Sequence, residues 1–145
     1  MPSDPRVESL VLEEVISQVV RKHAESARGL RTSQYMAYDG TKEVGFLSVD
    51  SMPETSSLEI CAIFVLRGHR GKGFGTLLLE FAEKLAREEC FRCVRLNAAP
   101  MDDDISKSKL IEWYVKRGYQ RNPDIDDDMF KCLSESYPRS ECETR

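Results

Sequence analysis

The chain lacks the features that most readily mark a partner. It has no basic excess: Lys and Arg total 21 against 25 Asp and Glu, a formal net charge of −4. Nucleic-acid surfaces concentrate positive charge, so this balance argues against one. No apolar run approaches the roughly 20 residues of a membrane-crossing helix. The opening residues, Met1-Pro2-Ser3-Asp4-Pro5-Arg6, are polar. They lack the basic stretch and apolar core of a secretory leader, and a cytoplasmic protein is expected. Histidine is scarce, with 2 residues, and the 5 cysteines are odd in number. Without a leader, that count argues against a disulfide framework, and ordinary buried or half-buried thiols are expected. Cys90-Phe91-Arg92-Cys93 has the spacing of half a metal site, but no second pair exists and His23 and His69 lie far off in sequence. No metal is expected.

What remains is a globular balance of 41% apolar and 32% charged residues in 145 positions. This fits one domain over 1–145 with a polar, frayed tail over 134–145. Val7, Val11, Val15 and Val19 recur every four residues, flanked by Leu12, Ile16 and Val20, and predict a helix from Val7 to about Ala27 with no strand before it. The period then changes. Gln34–Tyr38 and Val44–Val49 read as strands around an Asp39-Gly40 hairpin. Leu58–Leu66 is a long, nearly continuous apolar run, as expected of a strand central in a sheet. A helix follows Gly75, with Phe74, Leu77, Leu78, Phe81, Ala82 and Leu85 inward and Glu80, Glu83, Lys84, Arg87 and Glu88 facing water. Val94 and Leu96 mark a strand parallel to the first across that helix. Ser106–Arg117 is a second helix stopped by Gly118. Tyr119–Arg121 and Met129–Leu133 form a closing strand pair. The order is that of a mixed α/β sheet.

The informative segment is Phe64-Val65-Leu66-Arg67-Gly68-His69-Arg70-Gly71-Lys72-Gly73-Phe74-Gly75-Thr76. A strand ends, glycines follow, and a helix begins. Such a helix mouth presents unpaired N–H groups and partial positive charge, which suits phosphate. Glycine lets the backbone approach an anion closely. Arg70 and Lys72 add charge, and no acid occurs before Glu80. The P-loop is excluded because Gly71-Lys72 is followed by Gly73, not Ser or Thr. The dinucleotide fingerprint is excluded because Gly75 comes one position too early and the next strand, Cys93–Asn97, holds no acid for a ribose.

Arg70-x-x-Gly73-x-Gly75 after an apolar strand resembles the acetyl-CoA signature of the GNAT N-acetyltransferases. Leu110-Ile111-Glu112-Trp113-Tyr114-Val115-Lys116-Arg117-Gly118-Tyr119 is similar to that family's aromatic-Tyr-x-x-x-Gly-aromatic segment. The resemblance spans about residues 33 to 133. It implies a central mixed, mostly antiparallel sheet with a splayed parallel strand pair and helices on both faces. It also implies transfer of acetyl from acetyl-CoA to a primary amine by direct attack. The backbone at Ile63 and Val65 would pair with the pantetheine arm. Arg70, Gly71, Lys72, Gly73, Phe74, Gly75 and Thr76 would hold the pyrophosphate. Tyr114 matches the tyrosine that protonates the departing thiolate, and Glu59 matches, by its offset from Arg70, the glutamate base of the histone-acetylating branch. Where the family often has Asn, seven residues before the tyrosine, this chain has Lys107 between Ser106 and Ser108. Either Ser106 or Ser108 replaces that contact, with Asn97 a partial substitute, or the contact is absent.

Two acidic runs, Asp102-Asp103-Asp104 and Asp126-Asp127-Asp128, read either as solvated loops or as attraction for a cationic acceptor. The acceptor class is a small-molecule or peptide amine, with neither nucleic acid nor membrane as partner. The absence of a first strand leaves the acceptor side open or completed by a second copy, a homodimer by analogy. The competing reading is a non-catalytic GNAT-like module that binds CoA or another protein.

Overall fold

A computed structural model describes residues 5–29, 31–100 and 105–133. The run Asp102–Asp104, Cys142 and the expected tail from Ser134 lie outside these residues. The chain divides into two compact units. One comprises the chain to Asp50 together with Ile60–Ala82, and the other Ser51–Glu59 together with the chain from Glu83.

In the first unit the chain begins as a strand, β1 (Pro5–Ser9), followed by a 3-10 turn at Leu12–Glu14 and helix α1 (Gln18–Ser26). The predicted helix from Val7 to Ala27 is therefore wrong over its first half. A spacing of four is a multiple of two, so the valine series fits a strand's alternation as well as a helix's turn. The discriminating signal is Ser17, whose side chain accepts from the Val20 N–H at 3.3 Å and caps α1. Glu43 adds to the cap, accepting from the N–H groups of Ile16 and Ser17. Val15, Val20 and Ala24 are buried, whereas Val11, Ile16 and Val19 stay exposed.

β2 (Thr32–Asp39) pairs antiparallel with β1, from Pro5 opposite Asp39 to Ser9 opposite Tyr35. The first strand that the sequence did not reveal is thus present. β2 and β3 (Lys42–Met52) form the expected hairpin, Asp39 opposite Lys42, with Gly40 in a left-handed turn conformation at φ 66°. Gln34, buried between α1 and β3, donates to Ala24 O at 2.7 Å and to Ser48 Oγ at 2.8 Å. Those bonds satisfy a polar side chain that the core would otherwise exclude.

β4 (Ser57–Val65) follows a 3-10 turn at Pro53–Thr55. A Cβ on Gly45 would stand 2.2 Å from the Phe64 carbonyl oxygen. Only glycine permits that approach of β3 to the end of β4. Just beyond, the Leu66 N–H donates to Val44 O at 2.8 Å.

α2 (Phe74–Glu88) runs from the first unit into the second, and β5 (Cys93–Asn97) follows. α3 (Lys107–Val115), β6 (Gln120–Arg121) and β7 (Asp128–Cys132) complete the described chain. β7 pairs antiparallel with both β5 and β6. The hydrogen-bonded strand order is β1-β2-β3-β4-β5-β7-β6, with β4 and β5 parallel. This is the mixed, mostly antiparallel sheet expected from the sequence.

Candidate active site

Strand alternation sorts β4 into two faces. Leu58, Ile60, Ala62 and Phe64 are buried. Glu59, Cys61, Ile63 and Val65 occupy the other face, the first two exposed and the last two half-buried. β4 is central in the strand order, yet one of its faces stays open. Two candidate pantetheine positions and the candidate base share that face, with Cys61 between them.

Past Val65 the chain makes a 3-10 turn at Arg67–His69 and then opens α2. Gly71 and Gly73 have φ of 76° and 92°, a left-handed region that side chains rarely adopt. Nothing lies within 4 Å of a Cβ built on either residue. The glycines are thus required by backbone conformation, and the space beside them is free for a ligand. Gly73 O accepts the first helical bond from Leu77 N–H at 3.0 Å. Helix geometry then leaves the opening amides of Phe74 and Gly75 without intrahelical acceptors. No acid stands in that turn, so the positive end of the helix dipole is unopposed by its own side chains.

Arg70 does more than add charge. Its Nε donates to Val65 O at 2.9 Å, fastening the loop to the end of β4, and its guanidinium lies 6.0 Å from the Phe64 ring. Lys72 is exposed and lines a recess of about 320 Å³ with Pro5, Asp39, Gly73, Phe74 and Leu77. Asp39 Oδ1 is sealed from solvent there with no hydrogen-bond partner. The sequence marked Asp39 only as a hairpin residue. His69 packs edge-on to Phe74 with centroids 6.3 Å apart, so it buttresses the start of the helix.

In the second unit, Ser106 caps α3 by accepting from Lys109 N–H at 3.2 Å. Gly118 follows the helix at φ 95°, as a left-handed terminator should. Tyr114 is only 5% exposed. Trp113 and Tyr119 meet it edge-on, with centroids at 4.9 Å and 5.6 Å. Burial pushes its phenol above the ordinary tyrosine range, because low-dielectric surroundings disfavour the anion.

Behind Tyr114 stands a group that the sequence misassigned. Glu83, predicted to face water, is 7% exposed. Its carboxylate accepts from Tyr119 Oη at 2.9 Å and from Lys131 Nζ at 3.2 Å, and Lys131 also donates to Arg117 O at 3.1 Å. Burial, then the Glu83 charge and hydrogen bond, raise the Tyr119 phenol pKa. A charged residue on an amphipathic helix reads as solvent-facing; nothing local in the sequence shows that Tyr119 and Lys131 return to meet it. The inward stripe shifts accordingly, with Leu79 and Ala86 buried and Leu77, Phe81 and Leu85 half-buried.

The second acidic run is largely neutralised internally. Asp128 pairs with Arg95 at 3.1 Å and accepts from Asn122 at 3.0 Å, while Asp127 pairs with Lys107. Lys107, Ser106 and Asp127 therefore have structural partners, and Asp126 is the exposed member of the run. Cys90 departs from the free-thiol expectation: it is disulfide-bonded, whereas Cys93 and Cys132 are free. No described helix is long and apolar enough to cross a membrane.

The model of the acetyltransferase (GNAT) family matches residues 12–119. No curated protein matches the chain. Among solved structures, an IAA acetyltransferase from Bacillus cereus ATCC 14579 is 17% identical with a TM-score of 0.67, covering 90% of this chain and 100% of its own. The PaiA N-acetyltransferase from Thermoplasma acidophilum, in complex with coenzyme A, is 15% identical with a TM-score of 0.66, covering 90% and 99%. The ribosomal-protein-S18-alanine N-acetyltransferase from Escherichia coli is 15% identical with a TM-score of 0.61, covering 93% and 99%. At these identities the likeness is one of fold.

Proposed function

The chain belongs to the acetyltransferase (GNAT) family, and from that premise we propose that residues 1–145 act as one domain that moves acetyl from acetyl-CoA to a primary amine. The observation that carries this reading is the cradle itself. Two glycines at positive φ open α2, and the space where their Cβ atoms would lie is empty. Such a mouth, with no acid in its first turn, fits a pyrophosphate. The residues that would hold it are Gly71, Gly73, Phe74, Gly75 and Thr76 through main-chain amides and Lys72 through its charge, with Arg70 fixing the loop. Ile63 and Val65 on the open face of β4 would take the pantetheine arm by main-chain pairing.

Acetyl-CoA supplies the activated thioester; the chain supplies position and hydrogen bonds. Tyr114 would donate its hydroxyl to the leaving sulfur. A thiol ionises near ~8.5, and burial holds the Tyr114 phenol above the ordinary tyrosine range. The proton therefore stays on tyrosine, which acts as a hydrogen-bond donor to developing charge rather than as a transferred acid. Glu59, exposed on the open face of β4, would take a proton from the incoming ammonium, directly or through water.

The test is steady release of CoA thiol from acetyl-CoA in the presence of a panel of amines. Wild-type turnover is expected, and Gly73→Ala should lower kcat/KM by at least about tenfold. An L side chain at positive φ costs roughly 1–2 kcal/mol, and its methyl enters the space assigned to the anion. Turnover unaffected by the substitution would contradict the cradle. Tight CoA binding without thiol release from any amine would favour the non-catalytic module.

A further inference from the structure

We propose that Cys93 and Cys132 form a dithiol site that a low-molecular-weight disulfide closes into a bridge between β5 and β7. The two residues are 39 apart in sequence, directly opposite in the strand register, and their Sγ atoms lie 3.7 Å apart. The ladder phase favours closure. The Leu133 N–H donates to Arg92 O, and at the far end the Ala98 N–H donates to Asp127 O. Those positions are the hydrogen-bonded pairs of the ladder, and pairs alternate along an antiparallel ladder. Cys93 and Cys132 therefore occupy a non-hydrogen-bonded position, where Cα atoms stand about 4.5 Å apart and side chains are closest. That separation lies inside the range a disulfide spans, and a change of side-chain torsion brings the sulfurs to bonding distance without moving the strands.

Exposure sets the order of events. Cys132 is exposed and Cys93 is half-buried. Burial, then the hydrogen bond and charge of Cys132, hold the Cys93 thiol above its ordinary range, opposed by Arg95 and Arg92. The Cys132 thiolate attacks the small disulfide first and expels one thiol, leaving a mixed disulfide on Cys132. The Cys93 thiolate then attacks Cys132 Sγ and expels the second thiol. The two protein thiols lose two electrons and two protons in total, and the reagent is reduced to two thiols.

The experiment uses the full chain and glutathione disulfide. After incubation, remaining thiols are blocked with N-ethylmaleimide, the protein is digested with trypsin, and linked peptides are identified by mass. Trypsin cuts after Arg92, Arg95 and Lys131, so the bridge joins a peptide beginning at Cys93 to one beginning at Cys132. That linked pair is expected in the wild type and in Cys61→Ser, and it should disappear on reduction. Cys93→Ser should stop at the glutathione adduct of Cys132. Separate adducts on Cys93 and Cys132 in the wild type, or no linked peptide at any ratio of oxidised to reduced glutathione, would overturn the proposal.

Discussion

Replacing Glu83 with alanine is expected to lower the unfolding free energy by about 3 kcal/mol. For a chain of this size that corresponds to roughly 10 °C in Tm. The substitution strands two donors at once. Tyr119 loses the acceptor of its buried hydroxyl, and Lys131 loses the carboxylate at 3.2 Å. Lys131 retains the Arg117 carbonyl and is 28% exposed at its side chain, so it can recover some solvation; without that relief the cost would be higher. Glu83→Gln keeps the shape and one acceptor oxygen and should cost about half as much. A double substitution, Glu83→Gln with Lys131→Met, removes the charge on both sides and should recover part of the loss. Thermal or denaturant unfolding measures all three. Equal stability of Glu83→Ala and wild type would mean that the carboxylate makes no net contribution.

The second large effect falls on catalysis. Tyr114→Phe should lower kcat on the order of 100-fold, the range seen when a preorganised donor to developing negative charge is removed. The KM for acetyl-CoA should change little, because the hydroxyl acts on charge that forms only as the thioester breaks. The pH profile separates this role from that of a proton relay. The phenol's pKa is raised by burial, so it stays protonated below its shifted value and supplies no falling limb through the ordinary range of assay pH. Rate should rise with pH as the acceptor amine deprotonates, and Tyr114→Phe should lower that curve without changing its shape. Loss of a descending limb in the variant would instead assign proton transfer to Tyr114. A kcat equal to wild type would remove Tyr114 from the reaction.

These two residues also mark how far the sequence could be read. Tyr114 was legible because its context is local: a capped helix, an aromatic neighbour, and a glycine stop at Gly118. The strand-to-helix turn was legible for the same reason, since a strand end, positive-φ glycines and a helix start lie within a dozen positions. Glu83 was not legible, because its burial depends on Tyr119 and Lys131, which arrive 36 and 48 residues later. β1 was hidden by a valine repeat whose spacing satisfies strand and helix together, with Ser17 the overlooked boundary. The open face of β4 was hidden by composition: Cys61, Ile63 and Val65 are apolar enough to read as core, yet Glu59 and Cys61 are exposed and Ile63 and Val65 half-buried. The acidic loop was misleading in the opposite sense. Asp127 and Asp128 suggested a free negative surface, yet Lys107 and Arg95 meet them.

The proposed grip of α2's opening amides on a diphosphate can be tested residue by residue. In an amide-resolved NMR titration with coenzyme A, the N–H signals of Gly71, Gly73, Phe74, Gly75 and Thr76 should show the largest shifts in the chain, saturating together with a single Kd. Inorganic pyrophosphate should move the same signals in the same direction, more weakly. If coenzyme A bound while those amides stayed in place and the shifts gathered elsewhere, the proposed cradle would be wrong.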